Sequence, residues 1–123
     1  MYKIGNSIDI HKLIKGEYIN IGGVKIPSKY SSISYSDGDA LLHSVAESII
    51  GALGRGDLGS NFPDSDSKYK DISSIYFIKE ALKMLQESKY KISNIDIMIV
   101  LESPKLESYK KQVEENVARL LEI

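Results

Sequence analysis

A chain of 123 residues, 42% hydrophobic and 27% charged, is sized for one domain with a core of its own. Sixteen basic against seventeen acidic residues leave a net charge of −1, which excludes bulk electrostatic attraction to nucleic acid or to an anionic membrane. The absence of cysteine excludes disulfides and thiolate ligands, so a bound metal would have to use His, Asp or Glu. No apolar run reaches membrane-spanning length and no signal-peptide pattern opens the chain, so a cytoplasmic protein is expected, or one of an organelle stroma if a leader has been removed.

Residues 2–11 alternate loosely and predict a first strand, weakened in its middle by Gly5, Asn6 and Ser7. On a strand, Asp9 and His11 leave one face while Ile8 and Ile10 leave the other. Lys12 to Gly16 reads as a polar turn. Tyr18 to Pro27 carries β-rich residues on both sides of Gly22-Gly23 and predicts a hairpin. The Ser-rich run from Ser28 to Asp37 reads as a loop with room for a short strand at Ile33–Tyr35, in the kind of segment where binding residues usually lie.

A helix is predicted from about Asp39 to Leu53, with Leu42, Val45, Ala46, Ile49, Ile50 and Leu53 as its buried stripe. Asp39 suits its N-cap, and Gly54 with Gly56 suits its end. His43 falls in the first turn, where the helix dipole disfavours positive charge and favours a neutral, ligating imidazole. Arg55 to Lys70 is a long connection; its length suggests function, although its composition alone describes a solvated acidic loop. An amphipathic helix follows, roughly Ile72 to Ser88, with Ile75, Ile78, Leu82 and Leu85 inward and Tyr76 and Met84 as packing residues. Ile92 to Leu101 alternates as a strand, central in its sheet by its apolar end. Ser103-Pro104-Lys105 breaks it, and a last helix, about Glu107 to Leu121, buries Val113, Val117, Leu120 and Leu121. The expected fold is a single domain over residues 1–123 of the α+β class, a small mixed β-sheet with helices packed on one face.

The chain has only two histidines, and they fall beside Asp9 and in the first turn of the Asp39–Leu53 helix. One carboxylate and two imidazoles, Asp9, His11 and His43, make a suitable ligand set for a transition metal, with zinc first among the candidates. Taken alone, His43 reads better as a buried helical histidine with a hydrogen-bond partner than as a ligand.

The order of these segments resembles a known family. Asp9-Ile10-His11, Ile21 to Pro27, Ser36 to His43, Gly56-Asp57-Leu58-Gly59, Phe62-Pro63-Asp64-Ser65-Asp66 and Ser103-Pro104-Lys105 look like the successive motifs of 2-C-methyl-D-erythritol 2,4-cyclodiphosphate synthase. The resemblance implies that family's α+β fold and its reaction, a step of non-mevalonate isoprenoid synthesis. In it 4-diphosphocytidyl-2-C-methyl-D-erythritol 2-phosphate is cyclised and CMP is released. It implies Zn²⁺ on Asp9, His11 and His43, a second divalent ion, Mg²⁺ or Mn²⁺, on the diphosphate, and a homotrimer with sites between subunits. Substrate contacts are implied for Asp9, Ile10, His11, Tyr35, Ser36, Asp57, Leu58, Gly59, Phe62, Pro63, Asp64, Ser65 and Asp66. On the cytidine side they are implied for Leu101, Glu102, Ser103, Pro104, Lys105, Leu106 and Glu107, with Lys105 suited to a phosphate.

Two departures qualify the match. Tyr35 stands where the family usually has a histidine that stabilises the transition state, and a phenol cannot become cationic near neutral pH. The family also continues with a further strand, a Thr-rich phosphate-contacting loop and a closing region, and this chain ends before them. The expected alternatives are a sheet closed through another subunit, a split or incomplete product, or a catalytically silent relative that binds or sequesters a nucleotide or phosphorylated ligand.

Overall fold

The computed structural model describes residues 1–123 and has four short strands and four helices, in the α+β class. Strand β2 (Tyr18–Ile21) turns through Gly22-Gly23 into β3 (Val24–Pro27), with Ile21 opposite Val24 and Ile19 opposite Ile26. Both glycines have positive φ, 63° and 77°, the conformation a two-residue hairpin turn demands and other residues resist. Strict alternation then puts Ile19, Ile21, Val24 and Ile26 in the core.

The remaining ladder differs from the sequence expectation. Leu13–Lys15, within the predicted polar turn, forms β1 and pairs antiparallel with β4 at Tyr30–Ser32, not at Ile33–Tyr35. The sheet is therefore two antiparallel two-stranded ladders instead of one mixed sheet. Both long predicted strands lack ladders. Neither residues 1–11 nor residues 91–105 form a single backbone–backbone hydrogen bond. Their period-2 pattern survives as exposure: Ile97 and Ile99 are far less exposed than Met98 and Val100, and Ile4, Ile8 and Ile10 point outward. Alternation specifies which side of a segment faces the helices; it supplies no neighbour for the N–H and C=O groups, and a strand requires one.

The helices form where periodicity placed them. Helix α1 (Ala40–Ala52) is capped by Asp39 and buries Leu41, Leu42, Val45, Ala46, Ile49 and Ile50. After it, the predicted long loop holds a short helix α2 (Leu58–Asn61) and a 3₁₀ turn at Ser67–Tyr69. Helix α3 (Ile75–Glu87) packs on α1 through Phe77, Ile78 and Ala81, so its buried stripe is centred there, with Ile75, Leu82 and Leu85 at its margins. Helix α4 (Lys110–Leu121), entered through a 3₁₀ turn at Glu107–Tyr109, lays Val113, Val117 and Leu121 against the hairpin and α3, with Leu120 half-buried. No helix is long and apolar enough to cross a membrane.

Candidate metal centre

The N-terminal segment reaches the site by docking along α1. Ser7 donates its hydroxyl proton to the Ser44 carbonyl (2.6 Å), and the Ser44 hydroxyl donates back to the Ser7 carbonyl (3.3 Å). At Gly5 the backbone lies so close to α1 that a Cβ would stand 1.9 Å from the Ser48 carbonyl oxygen. Gly5 and Ser7, which weaken a strand by propensity, are thus what allow the segment to lie on the helix. Two residues beyond Ser7 the same run delivers Asp9 and His11 to the first turn of α1, where His43 is 8% exposed.

There the three side chains converge on one oxygen. Asp9 Oδ2 lies 2.8 Å from His11 Nε2 and 3.2 Å from His43 Nδ1, and one potential ligand atom from each residue falls within 4.8 Å of the others. Burial opposes ionisation of Asp9, but hydrogen bonds and charge from both imidazoles outweigh it and hold the carboxyl well below the usual range. The hydrogen bond to Asp9 pushes His11 up against the opposing effect of burial. Two imidazoles and a carboxylate suit Zn²⁺, whose bonds of about 2.0–2.1 Å separate tetrahedral ligands by about 3.3 Å. Asp9 already stands near that separation from each imidazole, while the donors together span up to 4.8 Å, so the two rings would draw in around an ion. Nδ1 of His11 is buried without any hydrogen-bond partner, a polar atom left over at the edge of an otherwise satisfied cluster. The residues present fit a transition-metal ion.

The surrounding residues fix the cluster. Ser36 Oγ sits 2.8 Å from His43 Nε2, on the side of the ring away from Asp9. The His43 and Phe77 rings meet edge-to-face at 5.4 Å between centroids, and Phe77 in turn packs against Phe62 in a tilted arrangement and Tyr76 edge-to-face. Asp39 is fully buried and accepts from Leu42 N (3.0 Å), Gly22 N (3.0 Å) and Gly23 N (2.7 Å), joining α1 to the hairpin. Burial pushes its carboxyl up, against those three backbone donors. Asp37 accepts from the backbone N–H and the hydroxyl of Ser74, tying the segment before α1 to the start of α3.

The other predicted contact residues fall into three groups, with Ile10 apart from them. Asp57 closes a capping box with Ser60, and Leu58 N donates to Glu47 Oε1 (3.3 Å), so Asp57, Leu58 and Gly59 stand on a short helix held to α1. Phe62 is buried, Pro63 half-buried, and Asp64 and Ser65 are exposed. Asp66 caps the 3₁₀ turn, and its carbonyl accepts the Tyr35 hydroxyl at 3.3 Å, which engages Tyr35 with this loop. Leu101, Glu102, Ser103, Pro104, Lys105, Leu106 and Glu107 have no hydrogen bond or ion pair to the cluster; Leu101 and Leu106 pack on the core, while Glu102, Ser103, Lys105 and Glu107 are exposed. Ile10 points outward.

An open cavity of about 400 Å³ adjoins the cluster through Ser36, and Ser31, Ser32 and Ser34 are among the residues that line it. A larger groove of about 560 Å³ runs between β3 and α4, lined by Lys25, Gln112, Glu115, Asn116 and Arg119; neither space is lined by Asp9, His11 or His43, and only the smaller one reaches them, through Ser36. Sequence reasoning missed Ser7, Phe77, Ser74 and the hairpin clamp of Asp39. Only Asp39 carried a signal, as an N-cap preceded by a Gly-Gly turn.

Fold and site together define an α+β protein with a two-histidine, one-carboxylate cluster suited to a metal ion, near a serine-lined cavity. The chain belongs to the YgbB family, which it matches over residues 2–123. It is 45% identical to the 2-C-methyl-D-erythritol 2,4-cyclodiphosphate synthase of Fusobacterium nucleatum over all of this chain and 77% of that protein. A solved 2-C-methyl-D-erythritol 2,4-cyclodiphosphate synthase superimposes with a TM-score of 0.92 at 33% identity, over 98% of this chain and 80% of that one. A second structure of such a synthase, in a form bound to CDP, superimposes with a TM-score of 0.91 at 31% identity, over 97% of this chain and 79% of that one.

Proposed function

We propose that this chain converts 4-diphosphocytidyl-2-C-methyl-D-erythritol 2-phosphate into the 2,4-cyclodiphosphate and CMP, a lyase reaction of non-mevalonate isoprenoid synthesis. The observation that carries the reading is the convergence of Asp9, His11 and His43 beside the serine-walled cavity, in a chain of this family. An oxygen of the substrate's 2-phosphate bonds to the β-phosphorus as that phosphorus loses its bond to the CMP oxygen, and the leaving oxygen carries the electron pair away. Because nucleophile and electrophile belong to one molecule, the protein's work is positioning and neutralising charge.

Asp9, His11 and His43 would hold Zn²⁺, and the ion when bound supplies a Lewis acid toward a phosphate oxygen. The charge of the diphosphate suits Mg²⁺ or Mn²⁺ as a second ion. Hydroxyls of Ser32 and Ser34 are suited to donate to phosphate and polyol oxygens, that of Ser31 being committed to the Tyr18 carbonyl. Lys105, exposed after the break at Ser103-Pro104, offers a cation to the nucleotide side. The CDP held by a relative supports a cytidine diphosphate-linked ligand here. The homotrimer that the family resemblance implies would give Ile8, Ile10, Met98 and Val100, exposed in the single chain, a surface to be covered by.

One observation favours a second reading. The Tyr35 hydroxyl is already engaged by the Asp66 carbonyl, which suits a catalytically silent relative that binds a nucleotide or phosphorylated ligand. Incubation with the cytidylated substrate, Zn²⁺ and Mg²⁺, followed by chromatography for CMP, decides between them. CMP release that disappears in His43→Ala supports the synthase reading. No CMP, together with metal-dependent nucleotide binding, establishes the second.

A further inference from the structure

We infer that Ser36 is a positioning residue for the metal centre: its hydroxyl holds the far nitrogen of His43, so that the ring presents Nδ1 toward Asp9 and His11. The inference deepens the proposed function and rests on its metal reading. Ser36 Oγ is 2.8 Å from His43 Nε2, while His43 Nδ1 is 3.2 Å from Asp9 Oδ2. A ligating imidazole uses one nitrogen for the ion and must carry its proton on the other, where a hydrogen-bond acceptor fixes both tautomer and ring orientation. With Nδ1 turned to the ligand cluster, the proton belongs on Nε2, and Ser36 Oγ is the acceptor placed to receive it. A hydroxyl suits this place because it both donates and accepts, and so remains bonded to the ring in either tautomer.

The placement of Ser36 is built into the fold. Its two neighbours are tied to one adjacent segment: the Tyr35 carbonyl accepts from Asp71 N (2.8 Å), and Asp37 N donates to the Ile72 carbonyl (3.0 Å). The Asp37 carboxylate then takes the Ser74 backbone N–H at 3.0 Å and the Asp39 backbone N–H at 3.2 Å. Gly38, at φ 76°, turns the chain into α1 so that Ser36 lies over the turn that carries His43. With Phe77 against the ring, His43 is held by three groups on three different segments. His11 has no such support: its Nδ1 is buried and unpartnered, so the orientation of the pair rests on the His43 side.

The test compares zinc affinity, by competition with a chromophoric chelator, in the wild type, Ser36→Ala and Ser36→Thr, each checked for an unchanged far-UV spectrum. The expected result is one zinc per wild-type chain, binding weaker by roughly 10- to 100-fold in Ser36→Ala, and affinity within a few-fold of wild type in Ser36→Thr, which restores the hydroxyl. A second readout is the ¹⁵N-histidine spectrum of the zinc-loaded protein. The His43 Nε2 proton should be visible in the wild type and broadened by solvent exchange in Ser36→Ala. Equal affinities in Ser36→Ala and wild type, or zinc on Nε2 of His43, would overturn the role of Ser36 while leaving the metal centre standing. A wild-type chain that takes up no zinc would overturn the metal reading and this role with it.

Discussion

Replacing Asp39 by alanine should loosen the fold at the point where the hairpin, α1 and the metal centre meet. The carboxylate is fully buried; Oδ1 accepts from Gly22 N and Leu42 N at 3.0 Å each, and Oδ2 from Gly23 N at 2.7 Å. A buried donor left without its acceptor costs about 1–3 kcal/mol, and loss of an N-cap alone costs about 1 kcal/mol. Burial of the carboxyl already penalises its charge, so alanine recovers part of the loss and a net destabilisation of about 2–4 kcal/mol is expected. Against a total stability of about 5–15 kcal/mol that is a large fraction, and the urea midpoint should fall by about 1–2 M. Asp39→Asn is the sharper comparison. Its amide oxygen in place of Oδ1 keeps Gly22 and Leu42, so only the exposed Gly23 loses its acceptor, water can replace it, and the loss should be about 1 kcal/mol or less. Urea unfolding followed by far-UV circular dichroism measures both variants. An Asp39→Ala loss below about 1 kcal/mol, or an Asn variant less stable than the Ala variant, would refute the clamp.

Metal loading should depend on pH in a direction set by the cluster. In the metal-free protein His11 is raised, so its pairing with Asp9 stabilises fully below about pH 6.5 and is lost as pH rises through the raised value; Asp9 is lowered, so its contribution is present above about pH 3.8 and lost only in strong acid. Protons therefore compete with the metal on the acid side, and the Tm increment given by zinc should grow from about pH 6 to about pH 8; a flat increment by differential scanning fluorimetry would contradict this. Tyr35→Phe removes one hydrogen bond to a backbone carbonyl and should cost about 1 kcal/mol or less in a denaturant melt, with KM for the cytidylated substrate moving more than kcat. Tyr35→His restores a side chain that can become cationic, and kcat in a CMP-release assay should rise. Phe77→Ala opens space beside His43 and within the Phe62–Tyr76 cluster and should cost about 3–5 kcal/mol, whereas Phe77→Leu should cost less than half as much; thermal melts of the two variants give the comparison.

The helices and the glycine hairpin were legible because local pattern decides them: α1, α3 and α4 follow the 3.6-residue stripe, and Gly22-Gly23 supplies the positive φ values that the turn needs. The two alternating segments at 2–11 and 92–101 were legible in parity only. Parity put Asp9 and His11 on one side and Ile8 and Ile10 on the other, as the structure has them, but backbone partners are a property of neighbours. The ligand set could be named because histidine is scarce in the chain and the motifs fall in order around it. Its support could not. Ser36 reaches His43 across seven residues, Ser7 docks on Ser44 across thirty-seven, and Phe77 looks like any other core aromatic until α3 is laid on α1.

Metal binding by Asp9, His11 and His43 underlies both functions proposed for this chain. Elemental analysis of the purified chain, with its Asp9→Ala and His43→Ala variants prepared in parallel, tests it most directly. About one zinc per wild-type chain is expected, with loss of most of it in either variant, since three protein ligands are the minimum for such a site. Wild-type protein free of zinc that also fails to take it up on titration, or variants that retain a full equivalent, would contradict the account.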